Sequence, residues 1–282
     1  MAIVNLQEVL ALAEKGKYAV GSFNVVNYES VKGILAGAEE INSPVILAIA
    51  QVQLEEVDFS SIMNILAHEA KRATVPVAIH FDHGMDFSTI RQAIKLGCSS
   101  VMFDGSQLPL DENIRQTKEV VAYAHARNVS VEGEVGMMGR EGGGTQSTAE
   151  LQLTDPASAE RFVKETGVDA LAIAFGTVHG MMKTEPRLDL ELLSCIYDRV
   201  SIPLVVHGGS GLVDEDYRNM IARGIRKINY FTDGYRDVAT CLGKYMVEHP
   251  HTLYDELSFY TTNAFKKVFR EIMETFGSAE AV

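Results

Sequence analysis

The sequence predicts a closed barrel of eight parallel β-strands that alternate with helices, an α/β (β/α)₈ or TIM barrel, with one extra helix at the carboxyl end. Short apolar, β-branched segments recur at intervals of roughly 25 to 35 residues, and a stretch with helical periodicity follows each of them. The segments are apolar almost throughout, as strands buried on both faces are. The 282 residues suffice for one barrel of about 250 residues, so we expect a single domain over 1–282.

The strands are expected, in chain order, at 18–25, 44–50, 76–83, 99–105, 130–136, 170–176, 203–209 and 226–231. Segment 112–127 predicts a helix with one apolar face, and 253–277 predicts the extra terminal helix. Ser30 and the Asp155-Pro156 pair are expected helix starts. The long irregular segment 136–153 is typical of a lid or binding loop.

An open doubly wound sheet would show the same alternation of strands and helices. That fold normally carries a glycine-rich phosphate turn after its first strand. Here the first strand ends in SFNVVNYES, which favours the barrel.

Composition narrows the classes of function. The net charge of −13 disfavours nucleic acid as a partner, but backbone amides can still bind a small phosphate. No apolar run reaches the roughly 18 to 20 residues of a membrane span, and the acidic amino terminus lacks the features of a secretory signal. The three cysteines are far apart, which predicts neither a disulfide framework nor a thiolate metal site. We therefore expect a cytoplasmic protein with no membrane partner.

Ionisable residues recur where the expected strands end. The carboxyl ends of barrel strands converge on one face, where the active sites of such barrels lie. Three imidazoles with an open fourth position are typical of a catalytic zinc site. The residues at or just after strands three to seven are Asp82, His83, Asp104, Glu134, His179 and His207. We interpret His80, His125, His249 and His251 as packed or capping residues.

Glycines and a hydroxyl follow the seventh strand in HGGSG (207–211). Backbone N–H groups in such a turn can bind phosphate, although the glycines could instead only turn the chain. Asn229 and Thr232, which we assign to the next strand, complete the positions after strands seven and eight where barrels usually bind phosphate.

Six ordered segments resemble the signature blocks of the class II fructose- and tagatose-bisphosphate aldolases. They are HFDHG (80–84), SVMFDGS (100–106), VEGEVG (131–136), GTVHG (176–180), VHGGSG (206–211) and KINYFTD (227–233), and the similarity extends from residue 22 to residue 278. The resemblance implies a lyase that reversibly splits a ketose 1-phosphate or 1,6-bisphosphate into dihydroxyacetone phosphate and an aldehyde through a zinc-stabilised enediolate. It also implies a homodimer or homotetramer that acts in carbohydrate metabolism.

The resemblance also assigns roles to individual residues. It implies that His83, His179 and His207 bind Zn²⁺ or another divalent metal, with Glu134 able to approach the metal, and that Asp82 is the acid/base for the C4 hydroxyl. Independently of the resemblance, Asp104 and Glu132 are candidates to orient the ligands, since metal-bound imidazoles donate their other N–H to an oxygen acceptor; Asp104 could also orient Asp82, or be a turn residue. The positions that match the dihydroxyacetone phosphate site are Asn24, Gly180, Gly208, Gly209, Ser210, Asn229 and Thr232. Backbone groups around Val178, Gly180 and Gly208 match a site for Na⁺ or K⁺.

The chain departs from the family in the parts that bind the aldehyde half. The family's lid acid corresponds to Gly142 here, which leaves Glu141 as the nearest candidate catalytic acid. Segment 254–267 lacks the family's arginine for a second phosphate, so Arg140 from the lid is the candidate that binds this half. Ala48 and Ala50 replace polar residues of the second strand. The aldehyde could therefore carry phosphate, sulfonate or neither, and its configuration at C4 stays open.

Two other functions are weaker. A barrel metallohydrolase usually has a paired HxH on its first strand, which this chain lacks. A non-catalytic binding protein would have no need of Asp82 together with three histidines.

Overall fold

The eight expected strand segments form a closed, all-parallel barrel in the computed structural model of the protein, which describes residues 3–137, 139–140, 151–180 and 187–282. The barrel strands are β1 (Val20–Asn24), β2 (Val45–Ala50), β3 (Val77–Gly84), β4 (Ser100–Phe103), β5 (Ser130–Val135), β7 (Ala170–Ile173), β9 (Leu204–Val206) and β10 (Ile225–Asn229). They follow each other around the barrel in the order β1, β10, β9, β7, β5, β4, β3, β2. The predicted fold class is confirmed.

Two short strands, β6 (Gly139–Arg140) and β8 (Val178–His179), pair in parallel outside the barrel. The helices are α1 (Leu6–Gly16), α2 (Tyr28–Glu40), α3 (Phe59–Arg72), α4 (Phe87–Lys95), α5 (Leu110–His125), α6 (Pro156–Thr166), α7 (Leu190–Tyr197), α8 (Asp214–Ala222), α9 (Thr232–Glu248) and α10 (Tyr254–Thr275). A 3₁₀ helix after β2 (Gln51–Glu55) is called the rim helix below. No helix within the described ranges is long and apolar enough to cross a membrane.

Helix α1 closes the amino-terminal end of the barrel. Its buried face, which includes Leu6, Val9 and Leu10, packs with inward-facing strand residues such as Val20 and Ala172. The larger apolar core lies between the strands and the surrounding helices. The floor of the barrel is therefore filled, and the opposite, carboxyl end is left for a binding site, as is usual for this fold.

The local signals for helix boundaries give one confirmation and one correction. Asp155 is the N-cap of α6 and Pro156 its first residue, as predicted. Helix α2 begins earlier than expected: Asn27 is its N-cap, and Ser30 is the third helical residue, whose hydroxyl accepts from the Asn27 backbone N–H at 3.2 Å. Ser30 therefore completes a capping box from the third helical position, whereas the sequence analysis expected it to start the helix.

Candidate active site

A cavity of about 330 Å³ opens at the carboxyl rim of the barrel. All of the residues that the sequence assigned to the dihydroxyacetone phosphate half line it. Among the residues that the structure describes, the cavity is lined by Asn24, Ala50, Val52, Gln53, Glu55, Asp82, His83, Gly180, Gly208, Gly209, Ser210, Asn229, Phe231 and Thr232. Residues from both ends of the chain thus meet in one pocket because the strands that carry them are neighbours in the barrel.

Asp82 lines this cavity from the end of β3. Strand register places it level with Ala50 of β2, and its residue surface is only 2% exposed. The Asn229 side-chain amide donates to both carboxylate oxygens, at 3.1 and 3.3 Å, and the Asn24 amide approaches at 3.5 Å. Burial alone would raise the pKa of Asp82, but the charges of His83 and Lys227 hold it well below its usual range. Asp82 is therefore an oriented, ionised carboxylate.

His83 and His207 form a pair next to Asp82. Each ring has a carboxylate on its outer side: Asp104 lies 2.8 Å from His83 Nδ1, and Glu132 lies 2.7 Å from His207 Nε2. The inner nitrogens, His83 Nε2 and His207 Nδ1, are 2.8 Å apart. The carboxylates hold the outer N–H groups, and at this distance the two inner nitrogens share a hydrogen bond. Once that shared proton is lost, both inner nitrogens would offer lone pairs to a cation, which is what a metal-binding imidazole needs.

His83 has a left-handed backbone, with φ of 47°. A residue other than glycine pays a strain energy in this region, and such strain clusters at active sites. Burial would lower the pKa of His83, but the charges of Asp82 and Asp104 raise it to about 9. The backbone thus turns the imidazole toward His207 at the end of β3, in a strongly acidic surrounding.

Glu134 joins a second group of possible metal ligands. Ligand atoms of Asp82, His83 and His207 lie within 4.8 Å of one another, and so do those of His83, Asp104 and Glu134. Burial and the neighbouring Asp104 raise the pKa of Glu134 well above its usual value. His83 therefore connects two sets of donors that could hold a cation.

Two candidates from the sequence, His179 and Arg140, are placed by their backbones alone. His179 and Arg140 pair with each other through β8 and β6, so their backbones are adjacent at the mouth of the barrel. Their side chains, and the whole of Glu141, lie outside the described residues.

Lys227 is a site residue that the sequence analysis missed. It is fully buried in β10, and its ammonium nitrogen lies 2.8 Å from Glu132 Oε2. His80, interpreted as a packed residue, is indeed fully buried, and its Nε2 lies 3.7 Å from the same carboxylate oxygen. Burial would raise the pKa of Glu132, but Lys227 and His207 lower it to about 2. A lysine inside a strand buried on both faces was the available signal, because a buried charge requires a partner.

In the glycine-rich turn after β9, fewer backbone N–H groups are available to a ligand than the sequence suggested. The Gly209 N–H donates to the Asn229 carbonyl at 3.0 Å, and the Gly211 N–H donates to the Asp233 carboxylate at 2.5 Å. Gly208 has φ of 65°, and a Cβ there would overlap the carbonyl oxygen of Val178. Two of these N–H groups are thus engaged within the protein, and Gly208 is required for the close approach of β8.

The remaining donors for an anion come from α9. Thr232 is the first residue of this helix, not a strand residue as expected. The first N–H groups of a helix have no partner within the helix and favour bound anions. The Asp233 N–H donates to the Ser210 hydroxyl at 3.3 Å, and this hydrogen bond links the turn after β9 to the start of α9. Ser210 and Thr232 both face the cavity. We call these two residues and Gly208 the anion cradle.

Comparisons with known proteins agree with this geometry. Residues 4–281 match the family model described as fructose-bisphosphate aldolase class II. The chain is 44% identical, over 83% of its length and 80% of the relative, to a 6-phospho-5-dehydro-2-deoxy-D-gluconate aldolase of Shouchella clausii. It is 39% identical, over 99% of its length and 98% of the relative, to a fructose-bisphosphate aldolase of Geobacillus stearothermophilus. The structure of the YdjI aldolase from Escherichia coli K12 superposes with a TM-score of 0.88, at 32% identity, over 99% of this chain and 98% of that one.

Proposed function

Because the chain belongs to the class II fructose-bisphosphate aldolase family, we propose that it is a metal-dependent aldolase. It reversibly cleaves a ketose 1-phosphate or 1,6-bisphosphate to dihydroxyacetone phosphate and an aldehyde. The observation that carries this proposal is the shared cavity, which is lined by Asp82, by His83 of the imidazole pair and by all three residues of the anion cradle.

The metal ligands proposed are His83, His179 and His207, with Glu134 close enough to His83 to join them. A zinc ion, or another divalent metal, bound there would act as a Lewis acid that polarises the ketone and stabilises the negative charge that develops during cleavage. Asp104 and Glu132 hold the rings of His83 and His207 in place through the hydrogen bonds at 2.8 and 2.7 Å. That support fixes which ring nitrogen is free to bind.

Asp82 is the proposed acid/base. In the cleavage direction it takes the proton of the C4 hydroxyl as the C3–C4 bond breaks, and Glu141, the candidate lid acid, would supply the proton that C3 then needs; in the condensation direction both transfers run in reverse. Its low pKa keeps the carboxylate ready to accept, and the amides of Asn24 and Asn229 hold it in position. The buried Oδ1 of Asn229 has no hydrogen-bond partner within the described part of the chain, so it can accept from a substrate hydroxyl. The anion cradle is the proposed phosphate site, together with Gly180 and Gly209.

The two relatives differ in the second half of the substrate that their names imply. One name contains two phosphates, fructose-bisphosphate, and the other contains one, 6-phospho-5-dehydro-2-deoxy-D-gluconate, at similar sequence identity. An aldehyde without phosphate, or with a sulfonate, is therefore the alternative to the bisphosphate substrate.

A condensation screen tests the proposal. Metal-loaded protein is incubated with dihydroxyacetone phosphate and with phosphorylated, sulfonated and neutral aldehydes, and the ketose product is measured. Asp82→Ala should slow product formation by about 10²- to 10⁴-fold, the usual contribution of a general acid/base. The proposal fails if the protein neither forms nor cleaves any ketose phosphate and does not exchange the C3 proton of dihydroxyacetone phosphate.

We further propose a single domain over 1–282, a cytoplasmic location, a part in carbohydrate metabolism such as glycolysis, a homodimer or homotetramer, a Na⁺ or K⁺ site, and roles for Arg140 in binding the aldehyde half and for Glu141 as a catalytic acid.

A further inference from the structure

The cavity has two unlike flanks, one formed by the anion cradle and the other by the rim helix. Around the barrel, β2 is separated from β9 by β1 and β10. The anion cradle follows β9 and β10, whereas the rim helix follows β2 and contributes Val52, Gln53 and Glu55 to the lining. If Asp82 serves the C4 hydroxyl, as the proposed function requires, the phosphate half fills the first flank. The aldehyde half must then lie against the rim helix.

The side chains of the rim helix offer almost no hydrogen-bond donor to an anion. Gln53 Oε1 accepts from the Ala50 backbone N–H at 2.8 Å and from the Asn24 amide at 3.1 Å, and Gln53 Nε2 donates to the Val25 carbonyl at 3.3 Å. Its amide is therefore committed to the protein. The side chains of Val52 and Ala50 are apolar, so neither can donate a hydrogen bond to a phosphate, and the Ala50 N–H is already bonded to Gln53.

Glu55 places a negatively charged side chain on the same flank, where an anion would need a positive one. It is exposed at the rim and lines the cavity. An ionised carboxylate only accepts hydrogen bonds, so it matches a hydroxyl group and repels phosphate or carboxylate. None of the described residues that line the cavity is lysine or arginine.

We propose that the rim helix selects an uncharged, hydroxylated aldehyde, and that Glu55 is the residue that disfavours an anionic one. The inference rests on the proposed aldolase function and goes further by naming the substrate class: a ketose 1-phosphate whose other end carries hydroxyl groups only.

The test compares matched aldehydes in condensation with dihydroxyacetone phosphate. D-glyceraldehyde is uncharged, D-glyceraldehyde 3-phosphate adds one phosphate, and succinate semialdehyde carries a carboxylate. The measured quantity is the ratio of kcat/KM for glyceraldehyde to that for its phosphate, which does not depend on the fraction of active enzyme. We expect a ratio above one in the metal-loaded wild-type protein, and a low kcat/KM for succinate semialdehyde.

Charge variants of Glu55 separate electrostatic selection from a structural role. Glu55→Gln should lower the ratio about tenfold, the effect of one unit charge about 6 Å from a phosphate dianion in water. Glu55→Lys should lower it further, and added salt should reduce both effects because the charges are exposed. Glu56→Gln is the matched control, since Glu56 is the exposed neighbour and does not line the cavity; it should leave the ratio unchanged.

The outcomes distinguish this inference from the function it rests on. If the C3 proton of dihydroxyacetone phosphate does not exchange in the wild-type protein, the aldolase function fails and the inference fails with it. If that proton exchanges and the phosphorylated or carboxylated aldehyde is preferred, the function stands and the inference is overturned. An unchanged ratio in Glu55→Gln and Glu55→Lys would also overturn it.

Discussion

Removal of the Lys227 ammonium, in Lys227→Met, tests how the centre of the site is held together. The ammonium and the Glu132 carboxylate are 2.8 Å apart and both side chains are fully buried. At an effective dielectric constant of about 20, their attraction is about 6 kcal/mol, and desolvation of the two ions costs several kcal/mol each. The ion pair as a whole therefore contributes a net free energy of folding close to zero. Glu132 left alone is an uncompensated buried charge, so we expect Lys227→Met to lower the free energy of unfolding by about 3 to 5 kcal/mol.

The assay is chemical denaturation of the metal-free protein. The double variant Lys227→Met/Glu132→Gln should recover most of the loss, because glutamine is neutral and its oxygen can still accept from His207. Lys32→Met is the matched control: its partner Glu69 is at 3.1 Å, but the lysine side chain is 46% exposed, so we expect a loss of about 1 kcal/mol or less. The reasoning is refuted if Lys227→Met costs no more than Lys32→Met, or if the double variant shows the sum of its single effects.

Three further substitutions test single contacts of the site. Asp104→Asn weakens the support of His83, so the affinity for Zn²⁺, measured by competition with a chromogenic chelator, should fall about 10- to 100-fold; an unchanged affinity would contradict this role. Gly208→Ala should destabilise the protein by at least about 1 kcal/mol in denaturant titrations, because a Cβ there would overlap the Val178 carbonyl in a left-handed backbone. Its control is Gly243→Ala in α9, where a Cβ meets nothing within 4 Å, and equal effects of the two would argue against the close approach. Gln53→Ala frees the Asn24 amide that contacts Asp82, so kcat/KM for cleavage should fall about tenfold, the value of one hydrogen bond; Gln51→Ala, whose amide bonds Asp86 and Met85 outside the cavity, should match the wild type if this explanation is right.

The barrel was predictable because its strands are short, buried on both faces and separated by amphipathic helices. Each expected strand segment overlaps an observed strand, with ends that coincide or differ by up to three residues. The convergence of Asp82, His83 and His207 was predictable for the same reason, since residues that follow parallel strands meet at one rim. The family resemblance pointed to the same residues.

Contacts between distant residues were harder to predict. The partner of Lys227 lies on β5, on the far side of β9 and β7 in the barrel, and no local pattern links the two. The engaged N–H groups of Gly209 and Gly211 depend on how β10 and α9 pack against the turn, which the sequence HGGSG does not reveal. The rim helix follows an apolar strand without any special motif, so its place beside Asp82 also required the structure.

The most direct test of the central claim is the exchange of the C3 proton of dihydroxyacetone phosphate with solvent deuterium, followed by NMR. The claim is that metal held by His83, His179 and His207 supports this proton transfer. We predict rapid exchange in the Zn²⁺-loaded protein, loss of exchange after chelation, recovery when Zn²⁺ is returned, and no recovery in His207→Ala. Equal exchange in the metal-free and the Zn²⁺-loaded protein would contradict the account.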